Sequence, residues 1–239
     1  MSRRTSANRS RAWFDQGWEA FCAAAPGAAA LVPFEPFYVC PLCLHAFSET
    51  HMEEGALSVE DVPPERLGGR PIVLTCRKCN STSGHNADAD ARREANIFEF
   101  ADGASQELKV LLKTSTGSLQ ARLNQDAAAI RITGVPEATP PLEHGRLVEE
   151  MDAAARETAN PGFGMTIAFE PFSRQRARTS WLRSAYLAFF AALGYRFILR
   201  PELEAVRRAI TSPDQLLIER FRIIAPRPAG PAFALDPQT

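Results

Sequence analysis

Four cysteines occur as two pairs with two residues between partners, Cys40-Pro41-Leu42-Cys43 and Cys76-Arg77-Lys78-Cys79. A thiolate is a zinc ligand, and a two-residue spacer lets both sulfurs of such a knuckle reach one tetrahedral ion. Two knuckles supply four sulfurs and close the coordination sphere. A closed sphere has no position for water, so the spacing predicts a structural Zn2+. A disulfide framework is not expected of a chain read as cytoplasmic, and a thioredoxin-like redox pair would need a single C-x-x-C in a βαβ setting. The fifth cysteine, Cys22, lies in an apolar helix-like stretch and reads as a small buried hydrophobe. His45 and His51 flank the first knuckle and read as solvated loop residues, because four sulfurs already satisfy the ion.

The 32 residues between Cys43 and Cys76 exceed ordinary zinc-ribbon spacing. They contain Leu57-Ser58-Val59-Glu60-Asp61-Val62-Pro63-Pro64 and Leu67-Gly68-Gly69. Leu74-Thr75 precedes the second pair, and Asn80, Gly84-His85 and Asp88 follow it. Over residues 38–90 these motifs resemble the zinc-containing HNH endonuclease-like proteins of bacteria. Those typically show a first C-x-x-C, an E-H-V-P-P and L-G-G stretch, then L-T-C-x-x-C-N with G-H and D following. A less specific likeness extends to Ala185-Tyr186-Leu187 and Leu193-Gly194-Tyr195, which look like a tail that accompanies some of these domains.

The resemblance implies a zinc-stabilised ββα-metal (HNH/treble-clef-like) module. A strand before the insert would pair with one near Val73–Thr75, and a helix would start near Arg77. In active members a histidine ending the first strand deprotonates water, and a divalent cation, often magnesium, stabilises the transition state and leaving oxygen. This chain has Asp61 where that histidine is expected, Pro71 near the orienting asparagine, and Asn80 at the last histidine or asparagine. An exposed aspartate, with a reference pKa of about 3.9, is a feeble base at neutral pH and a better metal ligand. Two readings follow. In the first, a nuclease binds Mg2+ or Mn2+ through Asp61 and Glu60, with Asn80 or His85 completing the shell or His85 acting as base. In the second, a zinc module binds nucleic acid or a protein partner without cutting. Outside the resemblance, Glu60 reads as a solvated acid and His85 as a residue that caps the zinc loop.

The whole chain of 239 residues has 27 basic and 28 acidic side chains and a formal charge of -1. That excludes a protein that grips nucleic acid by being basic overall. The charge is unevenly spread. Residues 31–62 carry six acids and no basic side chain, whereas residues 173–200 carry six arginines and no acid. Arg77 and Lys78, where backbone N–H groups also favour anions, and Arg174, Arg176, Arg178 and Arg183 are the candidate phosphate contacts, to DNA in preference to RNA. The aromatics interleaved with the arginines fit a buried helical stripe better than a stacking platform. The basic N-terminal segment is not followed by the apolar stretch a signal peptide needs, and the longest charge-free apolar run, Ala185–Tyr195, is too short for a bilayer span, so the expectation is a cytoplasmic protein with no membrane partner.

These residues must be positioned by an α+β fold. Residues 1–30 read as a basic tail (1–11) and a short amphipathic helix (12–25), and residues 31–104 as the zinc module. Residues 105–239 read as a C-terminal domain of antiparallel sheet plus helices. There, alternating apolar residues predict strands around 108–112, 119–123, 130–132 and 165–169. Helices are expected over 142–158, with His144 on its surface, over 173–193, and over 201–211.

Overall fold

The computed structural model describes residues 3–30, 35–113, 117–126, 129–135, 140–156 and 166–212. Helix α1 (Arg3–Ala24) starts eight or nine residues earlier than the sequence suggests. No proline or glycine interrupts its first turns, Arg11 pairs with Asp15 one turn on, and Arg9 lies over the Trp13 ring at 5.9 Å. Phe14, Gly17 and Phe21 recur at helical spacing and form its buried face. Gly17 is needed for close approach: a Cβ there would stand 2.5 Å from the Tyr38 ring. Cys22 on the same helix is half-buried. Pro26 ends the run by opening the single turn α2 (Pro26–Ala29).

Strands β1 (Phe37–Val39) and β2 (Ala46–Ser48) form an antiparallel hairpin around the first cysteine pair. Ser48 then caps the short helix α3 (Glu49–Glu53) in a capping box with His51, and Glu49 pairs with Arg11. Strand β3 (Leu57–Val62) pairs antiparallel with β4 (Arg70–Cys76), and α4 (Arg77–Ser83) follows without a break. The connection bends through Gly68, whose φ of 80° favours glycine, and at Gly69, where a Cβ would collide with the Pro63 carbonyl at 1.4 Å. One π-helical turn, Gly84–Asp88, leads into α5 (Ala89–Ala101).

The alternating segments form β5 (Glu107–Lys113), β6 (Ser118–Gln125), β7 (Ile130–Gly134) and β8 (Thr166–Phe169). They make one antiparallel sheet in the order β7-β6-β5-β8. Helix α6 (Pro141–Arg156) contributes Leu147 to the core beneath it. His144, expected on the surface, is half-buried; a Cβ on Gly134 would stand 2.8 Å from its ring. The chain closes with α7 (Arg174–Leu193), α8 (Tyr195–Ile198) and α9 (Glu204–Thr211).

The architecture is α+β, and it divides into two compact units that are not contiguous in sequence. Of the described residues, one comprises those up to Arg92 together with residues 173–212, and the other comprises those within Arg93–Phe172. The cysteine pairs and the last three helices thus fall in one unit. The reason is the apolar stripe of α7 and α8. Tyr186, Leu187, Phe190, Tyr195 and Ile198 share one core with Phe14, Tyr38, Leu42 and Leu74 from around the cysteine pairs. The second unit has its own core, built from Leu108, Val110, Leu112, Leu119, Ala121 and Leu123 with Phe100 and Leu147.

Candidate functional site

Cys40 follows the last residue of β1, Cys43 lies in the turn to β2, Cys76 ends β4, and Cys79 sits in the first turn of α4. Their sulfurs all lie within 4.8 Å of one another, and Cys43 Sγ is 3.8 Å from Cys76 Sγ. A tetrahedral ion with Zn–S bonds of about 2.3 Å has S···S edges of about 3.8 Å, so the four cysteines are positioned to bind a metal ion. Backbone amides support the sulfurs: Cys76 N–H donates to Cys40 Sγ at 3.3 Å, and Cys79 N–H donates to Cys76 Sγ at 3.4 Å. Such bonds stabilise thiolates and orient ligands. The cluster shares its protons unevenly: the contact with Cys43 first of all holds the Cys40 thiol far above its ordinary value, while the hydrogen bond with Cys40 holds Cys43 far below its own and lowers Cys76 to about 6. Leu44 closes the first knuckle in a left-handed conformation, φ 58°, with its N–H on the Cys40 carbonyl at 2.9 Å.

Two tyrosines from the far end of the chain hold that knuckle in place. Tyr186 Oη donates to the Pro41 carbonyl at 2.9 Å. Tyr195 Oη donates to the Val39 carbonyl at 2.8 Å and accepts from the Val39 N–H at 3.2 Å. Both rings are buried, and Tyr38 Oη ties β1 to β4 through the Leu74 carbonyl at 2.8 Å. The helical spacing of Tyr186 fits a buried stripe, as its ring shows. The Tyr186 and Tyr195 hydroxyls, which satisfy buried knuckle backbone, carried no local signal beyond the weak likeness of their segments to a family tail.

Glu60 is neither solvated nor available to a cation. The β3–β4 register shifts between Glu60 and Asp61: Glu60 stands opposite Val73 and Asp61 opposite Pro71, so Ile72 is the extra residue. Pro71 has no N–H for the ladder, and a bulge absorbs the irregularity. Glu60 is buried behind it. Arg183 of α7 reaches its carboxylate at 2.8 Å, with the two side chains 3 % and 7 % exposed, and Thr75 donates to it at 3.1 Å. Burial pushes the Glu60 carboxyl up to about 7, against the opposing pull of Arg183 and the Thr75 hydrogen bond. Arg183 Nη2 also lies 3.5 Å from the Cys79 carbonyl, while its buried Nε and Nη1 have no hydrogen-bond partner among the described residues.

Asp61 is half-buried; desolvation first, and then the charge of Glu65, raises its pKa. Asn80 Nδ2 donates to Ser58 Oγ at 2.9 Å across the base of the hairpin. Asn80 helps line a cavity of about 480 Å³ with Ser58, Arg66, Arg77, Ser81 and Asp88. Neither Glu60 nor Asp61 lines it. Asp88 Oδ1 accepts from Ser180 at 2.6 Å. The side chain of His85 lies outside the described residues.

The arginines divide by environment. Arg77, Lys78, Arg174 and Arg178 are exposed, as a phosphate contact requires. Arg176 is half-buried and bonds Asp90 at 2.6 Å, and Arg183 is consumed by Glu60. Arg183, 3 % exposed, is closed off from a phosphate, whereas Arg176 remains 40 % exposed while it neutralises the buried Asp90 carboxylate. Amides at the start of α4 are committed too: Arg77 N–H donates to the Ala56 carbonyl at 2.8 Å, and Cys79 N–H to sulfur. Any anion held there is held by side chains. No described helix is long and apolar enough to cross a membrane. Comparison with protein-family models, with curated proteins and with solved structures finds no match.

Proposed function

We propose that this chain is a zinc-stabilised, HNH-like module that binds nucleic acid, DNA in preference to RNA, without hydrolysing it. The resemblance over residues 38–90 is the starting point. A hairpin followed directly by a helix, with cysteine pairs at β1–β2 and β4–α4, supports it. Four sulfurs in a closed set with no water position are the donor chemistry of Zn2+ in a structural role.

The observation that carries the non-cleaving reading is the buried Glu60–Arg183 pair. Glu60 would have to share a magnesium or manganese ion with Asp61. A guanidinium already neutralises that carboxylate, and bringing a divalent cation beside a buried, permanently charged arginine is opposed by like-charge repulsion in a low dielectric. The donor set at Glu60 therefore does not fit a catalytic cation. Binding falls to Arg66 and Arg77 on the cavity rim, with Lys78, Arg174 and Arg178. Cleavage through Asp61 with Asn80 or His85 is the second reading. Its support is the cavity wall, to which Asn80 and Asp88 both contribute.

The test is plasmid nicking with Mg2+ or Mn2+ alongside DNA binding by fluorescence anisotropy. The expected result is salt-sensitive binding with no nicking. Nicking by the wild type that Asp61→Ala abolishes would replace this reading with the second.

A further inference from the structure

We propose that the open face of the β7-β6-β5-β8 sheet, in the unit Arg93–Phe172, is a second docking surface for the phosphate backbone of double-stranded DNA. It goes beyond the function proposed above, whose contacts all lie in the other unit. The β5–β6 register places Lys109 opposite Arg122 and Lys113 opposite Ser118, and the β6–β7 register places Asn124 opposite Arg131. Strand residues alternate between faces, so Lys109, Lys113, Arg122 and Arg131 share the face opposite the core of Leu108, Val110 and Leu112. Lys109, Lys113 and Arg131 are exposed and make no ion pair among the described residues.

The sign of this face runs against its surroundings. Residues 93–172 contain seven basic and twelve acidic side chains, yet four of the seven basic ones stand here with one acid, Glu107. Glu107 is held by Arg122 at 3.1 Å. Two further acids lie just past strand ends. Asp126 accepts the Ala129 N–H at 2.9 Å in the β6–β7 turn, and Glu170 is held by Arg93 at 2.7 Å. Lys109 stands directly across from Arg122, and like charges so placed are destabilising; Glu107 offsets that repulsion from the Arg122 side, while Lys109 has no ion pair among the described residues. An external polyanion removes that repulsion.

The patch runs about 14 Å along β5 from Lys109 to Lys113 and about 10 Å across from β5 to β7. About 14 Å of duplex axis presents about eight phosphates. No aromatic side chain lies on this face within β5, β6, β7 or β8, so it has no platform for unstacked bases. Charge complementarity without stacking selects the duplex backbone and reads no sequence.

The experiment uses the full chain and a 30-base-pair duplex, with anisotropy measured from 50 to 200 mM salt. The variant is Lys109→Gln/Lys113→Gln/Arg131→Gln, and the comparison is Arg77→Gln/Lys78→Gln in the other unit. Losing three phosphate contacts lowers the salt slope by about 2.7, so the wild type's fall in affinity across that range should exceed the triple variant's by about 40-fold. Gln120→Lys adds a cation to the same face and should raise the slope by about 0.9, whether or not the triple variant folds. An unchanged slope in both variants overturns the proposal. If Arg77→Gln/Lys78→Gln alone weakens binding, this surface is refuted while the proposed function stands. A wild type that binds no duplex at 50 mM salt sinks both. Equal or tighter binding of the corresponding single strand overturns the duplex assignment. So does a loss in the triple variant confined to vesicles of phosphatidylserine and phosphatidylcholine.

Discussion

Replacing Arg183 by methionine tests the structural core of the functional reading. The substitution keeps most of the apolar stem and removes the charge facing Glu60. Glu60 is then a buried carboxylate with only the Thr75 hydroxyl as partner. Breaking a buried pair from one side costs about 3–5 kcal/mol, because the remaining charge is uncompensated. That is a large share of a typical domain stability of about 5–15 kcal/mol. Removing both charges, in Glu60→Gln/Arg183→Met, should return the protein to within about 2 kcal/mol of wild type. The pH dependence has a definite sign. Glu60 titrates at about 7 in the folded state against an ordinary 4.5, so the folded state holds this proton more tightly. Its contribution to stability is full below pH 4.5 and is lost as pH rises through about 7, by about 3 kcal/mol in all. Arg183 opposes that rise, so Arg183→Met should be more destabilising at pH 8 than at pH 6. Glu60→Gln should flatten the difference. The assay is urea unfolding followed by circular dichroism at saturating zinc, from pH 5.5 to 8. A cost below about 1 kcal/mol for Arg183→Met at pH 8, or strictly additive single variants, would refute the coupling.

Chelation of the metal, or Cys76→Ser, should abolish cooperative unfolding of the unit that holds the cysteines. Elemental analysis should find about one zinc per chain, and purified protein that melts identically without metal would contradict the centre. Tyr195→Phe removes the partner of both the N–H and the carbonyl of buried Val39. It should cost about 1–3 kcal/mol in urea unfolding and speed zinc release to a chromogenic chelator. Gly17→Ala forces a methyl into the buried Tyr38 ring. A loss of about 1–3 kcal/mol is expected, and an unchanged midpoint would mean that α1 is not packed against β1 as described.

The parts of this protein legible in its sequence are those set by short-range rules. Two C-x-x-C pairs bring four sulfurs into one cluster because the spacing of each pair is a local matter of turn geometry. The alternation around 108–132 became β5, β6 and β7, and the apolar periodicity of 173–193 became α7, because each pattern matches the period of its element. The buried face differs in part, since Phe189 and Leu193 of α7 and Ile130 of β7 are exposed. Gly68-Gly69 reads as a turn and is one. The sequence could not disclose which distant groups would meet. Glu60 looks like a solvated acid or a metal ligand until α7 delivers Arg183, 123 positions later, to within 2.8 Å. The same helix packs with the distant cysteine pairs, since its Tyr186, together with Tyr195 of α8, completes the hydrogen bonding of a knuckle near residue 40. Cysteine spacing is read within a few residues, where chain connectivity alone limits the geometry. The state of Glu60 depends on desolvation and on a charge supplied through space, and only the packed core determines both.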